Sequence, residues 1–393
     1  MKKGFLSANV ILLSFVSFCN DIASDMIYPL LPLFITSVGG TPAILGIIEG
    51  IAETTASLLK LFSGYISDLF KKRKPLAFLG YFLSNALRPL YFFAESWTTI
   101  FFVRFSDRVG KGIRTAPRDA LIADSTNPTN RAQAFSFHRT LDNFGALIGP
   151  LLAMFVLAKF SENIKAVFLA SLIPGFLVIV LMFFIKETKK SEDKEKTKKS
   201  FSLKEILSLK AFPKRLNFFL LSVFLFTLGN SSDAFLILRL KDAGVSTTML
   251  PLLWGLLNLV KSVGNYPMGL LADRTNKKNV ILSGWLVYAA VYLSFAVFSS
   301  KFAVVTVFLC YGLYFSLTEG VERAFIADIV DEDMRGRAYG LYNFAIGVSA
   351  LPASIIFGFL WQKFSYKIAF TTGALFSLIA LCLFFISEKR QQN

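Results

Sequence analysis

The chain has 393 residues, 54% of them hydrophobic, 15% aromatic and only 17% charged, with a mean hydropathy of +0.57. A soluble domain of this length has no interior large enough for so many apolar side chains, so the water-soluble classes are excluded and a multi-span membrane protein is expected. The net charge of +16 would suggest nucleic acid in a soluble protein. Here the basic residues gather in short loops on one side of the apolar runs, so the bilayer is the expected partner and nucleic acid is not.

Apolar runs long enough to cross the hydrocarbon as helices are predicted near 7–37, 43–69, 75–95, 97–122, 131–159 and 164–185. The first run follows Met1-Lys2-Lys3 like a signal peptide. It passes Asn20-Asp21 without an A-x-A site and continues to Ile35, so a retained span is expected. On it, Asp21 and Asp25 lie one helical turn apart and share a face with Tyr28, roughly 22 and 28 Å along at ~1.5 Å per residue. Carboxyl groups at that depth are the leading candidates for proton coupling, with a solvated outer cap as the other reading of Asp25. Glu49 and Glu53, one turn apart on the second span, are either secondary proton carriers or partners for a basic residue such as Arg88 on the third. The second span ends in Gly64-x-x-x-Asp68 followed by Lys71, Lys72, Arg73 and Lys74.

The fourth span is the most heavily charged. Arg104, Arg108 and Lys111 form one stripe, and Asp107, Lys111, Arg114 and Arg118 an adjacent one. Two readings stand: recognition of an anionic or zwitterionic solute, for which a guanidinium offers bidentate hydrogen bonding, or internal neutralisation of the acidic residues. Asp124 closes the span. On the fifth, His138, Arg139 and Asp142 suggest a local network, with a satisfied structural histidine as the first reading of His138 and a titrating member of a proton relay as the other, and Gly145-x-x-x-Gly149-Pro150 reads as close helix packing with a bend.

Residues 186–213 are expected to form a cytoplasmic linker. A charged stretch to Ser200 precedes a short amphipathic helix, where Ser202 and Glu205 have capping-box spacing. Further spans are predicted near 214–240, 247–272, 278–299, 302–328, 335–362 and 366–386. Asn230 and Asp233 on the seventh are cavity candidates with Tyr28, Arg104, Asp107, Arg108 and Lys111. Asp233, Arg239, Lys261, Glu319, Glu322 and Arg323 form a sparser set of intramembrane charge. Trp254, Tyr266, Tyr311, Tyr314 and Tyr342 are expected to pack rather than stack on a solute. Solute and proton chemistry is therefore expected in the first half.

The two halves repeat. Gly64-x-x-x-Asp68 recurs as Gly269-x-x-x-Asp273-Arg274, an offset of 269 − 64 = 205, and Ala123-Asp124 recurs as Ala327-Asp328, an offset of 204. These residues resemble the major facilitator superfamily. Gly269 to Lys278 looks like its loop motif G-x-x-x-D-R-x-G-R-R, with Gly64 to Arg73 a divergent first copy. Gly145 to Pro150 is similar to its antiporter motif, and Arg108-x-x-x-Gly112 to its fourth-span R-x-x-x-G element. The resemblance implies an all-α fold of two six-helix bundles, 1–185 and 214–393, related by a pseudo-two-fold axis. It also implies a cavity lined by spans one, four, seven and ten, and a gating role for Gly64, Asp68, Asp124, Gly269, Asp273, Arg274 and Asp328.

The expectation is a monomeric secondary transporter of a bacterial-type inner membrane, both termini cytoplasmic. It would move a small anionic or zwitterionic organic solute with protons, by efflux through antiport. The alternatives are proton-coupled import of an organic anion or a metal chelate such as a siderophore, and a non-transporting receptor or scaffold. No G-x-x-x-x-G-K-[ST] loop is present, so ATP is not expected to drive the cycle. No enzyme activity, cofactor or metal site is expected, and Cys19, Cys310 and Cys382 read as small buried hydrophobes.

Overall fold

Inside hydrocarbon no water satisfies backbone N–H and C=O groups, so each apolar run must bond within itself, and the helix does so. The computed structural model describes residues 7–70, 72–127, 130–187, 212–331 and 334–390, apart from the side chains of 61, 64–70, 132 and 390. The expected amphipathic helix near Ser202 and Glu205, and Lys71, lie outside the described residues. So does the side chain of Asp68, while the backbone at Gly64 and Asp68 is helical.

In chain order the helices are α1 (Ala8–Ile27), α2 (Leu31–Ser37), α3 (Pro42–Phe70), α4 (Arg73–Ala86), α5 (Leu90–Phe93), α6 (Trp97–Asp124), α7 (Arg131–Lys159) and α8 (Ile164–Phe184). From Lys214 onward come α9 (Lys214–Gly229), α10 (Ala234–Asp242), α11 (Met249–Arg274), α12 (Lys277–Val297), α13 (Lys301–Ile329), α14 (Arg335–Lys363) and α15 (Tyr366–Arg390). Three predicted spans are interrupted. Tyr28-Pro29-Leu30 forms a 3₁₀ turn between α1 and α2. Leu87 to Pro89 separate α4 from α5, and Asn230 to Asp233 separate α9 from α10. Side-chain caps mark several starts, with Ser7, Asn163, Asn276 and Ser300 each accepting a first-turn N–H.

Among the described residues, nine helical stretches are long and apolar enough to cross a membrane on length and composition alone. The interrupted α4–α5 stretch, the charged α6, and α11 with its Asn258, Lys261 and Asn265 complete the twelve. A helix too polar for lipid on its own criteria needs a protein environment on that polar side.

The chain divides into two compact units, Met1–Phe34 with Thr55–Phe201 and Ile35–Thr54 with Ser202–Asn393. In the first, α1 packs on α7 and α8, and α4 on α6 and α8. In the second, α9 packs on α14 and α15, and α12 on α13 and α15, so the same pattern of neighbours is used twice. Ile35–Thr54, including the outer part of α3, joins the second unit. There Gly50 sits against Leu351, and the Thr54 hydroxyl donates to the Gly347 carbonyl at 2.7 Å. Cys19 is buried, but Cys310 and Cys382 are exposed, correcting the expectation for those two. An apolar run does not tell a lipid-facing position from a core position, because lipid and core are equally apolar.

Candidate functional site

Asp107, on α6, is buried among three guanidinium groups: Arg108 Nε at 3.5 Å, Arg88 Nη2 at 3.7 Å and Arg104 Nη1 at 3.8 Å. Arg104 and Arg108 share its helix at spacings of three and one. Arg88 arrives because Pro89 breaks the third span beside it. α6 approaches α4 closely through paired glycines, where a Cβ on Gly80 would come within 2.6 Å of the Gly110 carbonyl oxygen. Ser84, in the same contact, donates to the Asp107 carbonyl at 3.0 Å and accepts from Arg114, whose guanidinium lies 4.8 Å from the centre of the Tyr81 ring. Arg104 lies 5.0 Å from the centre of the Tyr28 ring, bringing two of the predicted cavity residues together.

A chain of polar contacts runs from this cluster to α1. Arg88 donates to Asn85 Oδ1 at 2.7 Å and to the Ser24 hydroxyl at 2.8 Å. Asn85 donates to Asn20 Oδ1 at 3.3 Å, and Asn20 to Asp21 Oδ1 at 3.3 Å. Asp21 is thus joined to Asp107 through Asn20, Asn85 and Arg88. On its other side α7 closes in through its glycines: a Cβ on Gly145 would lie 2.6 Å from the Phe18 carbonyl oxygen and 3.0 Å from Asp21 Cβ, and one on Gly149 2.6 Å from the Ile22 carbonyl oxygen. Two turns along α7 from Gly145, buried His138 lies 3.6 Å from Asp142, and neither ring nitrogen has a hydrogen-bond partner among the described residues. His138 and Asp142 stand side by side as expected, but among the described residues no hydrogen bond satisfies the ring. Asp25 and Lys111 are partly buried on the same helices.

The second unit holds a cluster of different chemistry. Lys261, on α11, places its ammonium 3.6 Å from the centre of the Phe315 ring and 5.3 Å from that of Trp254, with Asp233 Oδ2 at 3.6 Å. Asp233 also accepts from the Tyr311 hydroxyl at 2.8 Å, and Asn230 donates to the Tyr314 hydroxyl at 3.2 Å. Nearby, the buried Glu322 carboxyl accepts from Trp285 Nε1 at 2.9 Å and from the Tyr342 hydroxyl at 2.6 Å. Glu49, also buried, accepts from the Ser232 hydroxyl at 3.4 Å; Glu53 is partly buried. Among the described residues, no group of three or more His, Cys, Asp or Glu side chains could hold a metal ion.

The family model described as Major Facilitator Superfamily matches residues 13–351, and again 220–393. The chain belongs to the major facilitator superfamily. An uncharacterized MFS-type transporter of Methanocaldococcus jannaschii is 35% identical over 388 residues, covering 97% of this chain and 95% of its own. The multidrug resistance protein MdtH of Salmonella paratyphi C is 29% identical over 133 residues, 34% of this chain and 33% of its own. The crystal structure of the nucleoside transporter NupG superposes with a TM-score of 0.81 over 98% of this chain and 100% of that one. At 13% identity it shows the fold alone. The protein is a multi-pass membrane transporter of this superfamily, not an enzyme.

The superfamily's loop motif takes a particular form here. Arg73, the first residue of α4, pairs with Asp124, the last of α6, and donates to the Ala120 carbonyl at 2.8 Å. Lys277, the first residue of α12, pairs with Asp328 near the end of α13 at 2.8 Å. Both partners recur at one offset, 277 − 73 and 328 − 124, or 204 residues. By contrast Gly269 has no described atom within 4 Å of where a Cβ would stand, and Asp273 and Arg274 are exposed. Arg118 donates to Asp119 at 2.9 Å and to the Ser17 hydroxyl at 3.1 Å. Sequence reasoning missed the connecting groups Ser24, Ser84, Asn20 and Asn85. It noted Lys261, Tyr311 and Glu322 without assigning them to a site. An amide in an apolar run is the one signal that could have pointed to Asn20 and Asn85.

Proposed function

We propose that this transporter moves a small anionic or zwitterionic organic solute by alternating access, coupled to protons, with export by antiport as its direction. The observation carrying this reading is the polar chain from Asp21 through Asn20, Asn85 and Arg88 to Asp107 and its arginines. Between residues 104 and 119, α6 carries five basic side chains against two acidic ones, a composition suited to carboxylate or phosphate recognition. A proton arriving at Asp21 alters the charge at one end of a hydrogen-bonded chain whose other end holds those guanidinium groups. Solute affinity and proton occupancy then depend on one another, which is what coupling requires.

Export is supported by the antiporter-like Gly145 to Pro150 segment, which fits α7 against α1 at Asp21, and by the partial likeness to a multidrug resistance protein. Proton-coupled import of an organic anion or a metal chelate would use the same side chains, and the sign of the flux separates the two. The loop charges support a bacterial-type inner membrane with both termini cytoplasmic, and the reading takes the protein as a monomer. Asp25, Glu49 and Glu53 remain accessory proton candidates. Tyr28, Lys111, Asn230 and Asp233 remain candidate solute contacts, and Asp68 and Asp273 candidate gating residues.

The test is flux in proteoliposomes under an imposed pH gradient, with a panel of organic anions and zwitterions. Gradient-driven movement of at least one class is expected. Asp21→Asn is expected to keep solute binding and lose the dependence on the gradient. Wild-type coupling in that variant removes Asp21 from the mechanism, and no gradient-dependent flux across the panel overturns the reading.

A further inference from the structure

The start of α9 and the end of α15 lie together at the edges of their membrane-spanning stretches, Lys214–Asp242 and Tyr366–Lys389. They flank an open cavity of about 350 Å³ whose lining includes Lys214, Arg215, Phe218, Leu383, Ile386 and Ser387. Its two ends differ in chemistry. At the mouth, the Arg215 guanidinium is held bidentate by Glu388 at 2.9 and 2.7 Å and lies 5.0 Å from the centre of the Phe325 ring, so its charge is balanced. Lys214 is exposed and has no ion pair among the described residues, so its ammonium gives the mouth a net positive charge. No side chain caps α9, and with the Leu216 N–H bonded to the Pro213 carbonyl at 3.0 Å, the N–H groups of Lys214 and Arg215 lie at the same mouth. One helical turn deeper, about 6 Å, the wall becomes apolar. There Phe218 is 43% exposed and Ile386 51% exposed, each within a stretch long and apolar enough to cross a membrane.

We propose that this cavity is a binding site for an anionic phospholipid, with the phosphate at Lys214 and an acyl chain along Phe218, Leu383 and Ile386. Charge complementarity selects an anionic headgroup over a zwitterionic one, because among the described residues the acid at the mouth, Glu388, is already paired with Arg215. The exposed apolar wall selects a lipid over a soluble anion, since a free phosphate leaves that wall without a partner. The site lies wholly in the second unit and uses none of the residues assigned to solute or proton handling.

The experiment is native mass spectrometry of the purified full-length protein, titrated with phosphatidylglycerol, phosphatidylcholine or inorganic phosphate. The wild type is expected to retain phosphatidylglycerol in preference to phosphatidylcholine. Lys214→Gln is expected to weaken phosphatidylglycerol by about fivefold, the usual worth of one basic residue at an anionic membrane surface. Ile386→Gln is expected to weaken both lipids. Both positions are exposed, so each variant should fold with an unchanged melting temperature, which circular dichroism checks. Equal retention of the two lipids, or unchanged phosphatidylglycerol binding in both variants, overturns the proposal. So does inorganic phosphate binding that Ile386→Gln leaves intact while lipid does not compete, since that describes a simple anion site.

Discussion

Asp107 shows how a side chain becomes tolerable at membrane depth. Its carboxylate makes no single tight ion pair, and the three guanidinium nitrogens around it stand at 3.5 to 3.8 Å. The stabilisation is collective and electrostatic, and removing the acid leaves like charges buried beside one another. Asp107→Ala is therefore expected to cost about 3–5 kcal/mol, the usual range for breaking a buried charge pair by deleting one partner. A large fall in melting temperature in detergent would show it, and a shift close to zero would mean that the arginines find other partners. Glu322 is held differently, by two neutral donors. Tyr342→Phe removes one of them and is expected to cost about 1–3 kcal/mol, because a buried acceptor loses its bond with nothing in exchange. The charged members of these clusters were legible in the sequence because charge in an apolar run is conspicuous. Their connectors were not: Asn85 meets Asn20 across 65 residues, and a neutral amide in a helix carries no periodic mark of its partner.

At the scale of elements, the fit of α7 on α1 places the acid of the proposed coupling site. The carbonyls of Phe18 and Ile22 occupy the space into which side chains at 145 and 149 would grow. Backbone cannot swing aside as a flexible side chain does, so Gly149→Leu must push the helices apart. Overpacking of this kind costs about 1–3 kcal/mol. A lower melting temperature and lost gradient-driven flux are expected together, and a variant with wild-type values of both would show that the contact opens without consequence. The repeated apolar segments were legible from composition, but the interruptions within them were not. Pro29 and the Asn-Ser-Ser-Asp run at 230–233 mark the breaks in hindsight, yet continuous apolar stretches on both sides made unbroken helices the simpler expectation. The aromatic surroundings of Lys261 stayed hidden for a related reason, since aromatic residues are common throughout the spans and only the fold selects which three rings meet one ammonium.

At the scale of the whole molecule, the offset of 204 residues is carried by contacts as well as by letters. Each unit ties the first residue of its third spanning segment to an acid at the end of its fourth. The two ties differ in environment, and that difference sets their worth. Arg73 and Asp124 have side chains 11% and 20% exposed, and Arg73 also holds the Ala120 carbonyl, whereas Lys277 and Asp328 are 23% and 55% exposed. An exposed pair contributes ~0–1 kcal/mol and is screened by salt, while a partly buried pair with a second hydrogen bond contributes more. Arg73→Ala should therefore change transport rate and melting temperature more than Lys277→Ala, and only the effect of Lys277→Ala should fade in high salt. The pairs are built from different residues, Arg73 with Asp124 and Lys277 with Asp328, so the double variant should show the sum of the single effects to within about 0.5 kcal/mol. Exchanging the charges, as Arg73→Asp with Asp124→Arg, should restore part of what either change alone removes. Equal effects of the two single variants would show that the repeat outweighs local burial, and failed recovery in the exchanged pair would show that Arg73 acts through contacts other than Asp124, such as its bond with Ala120.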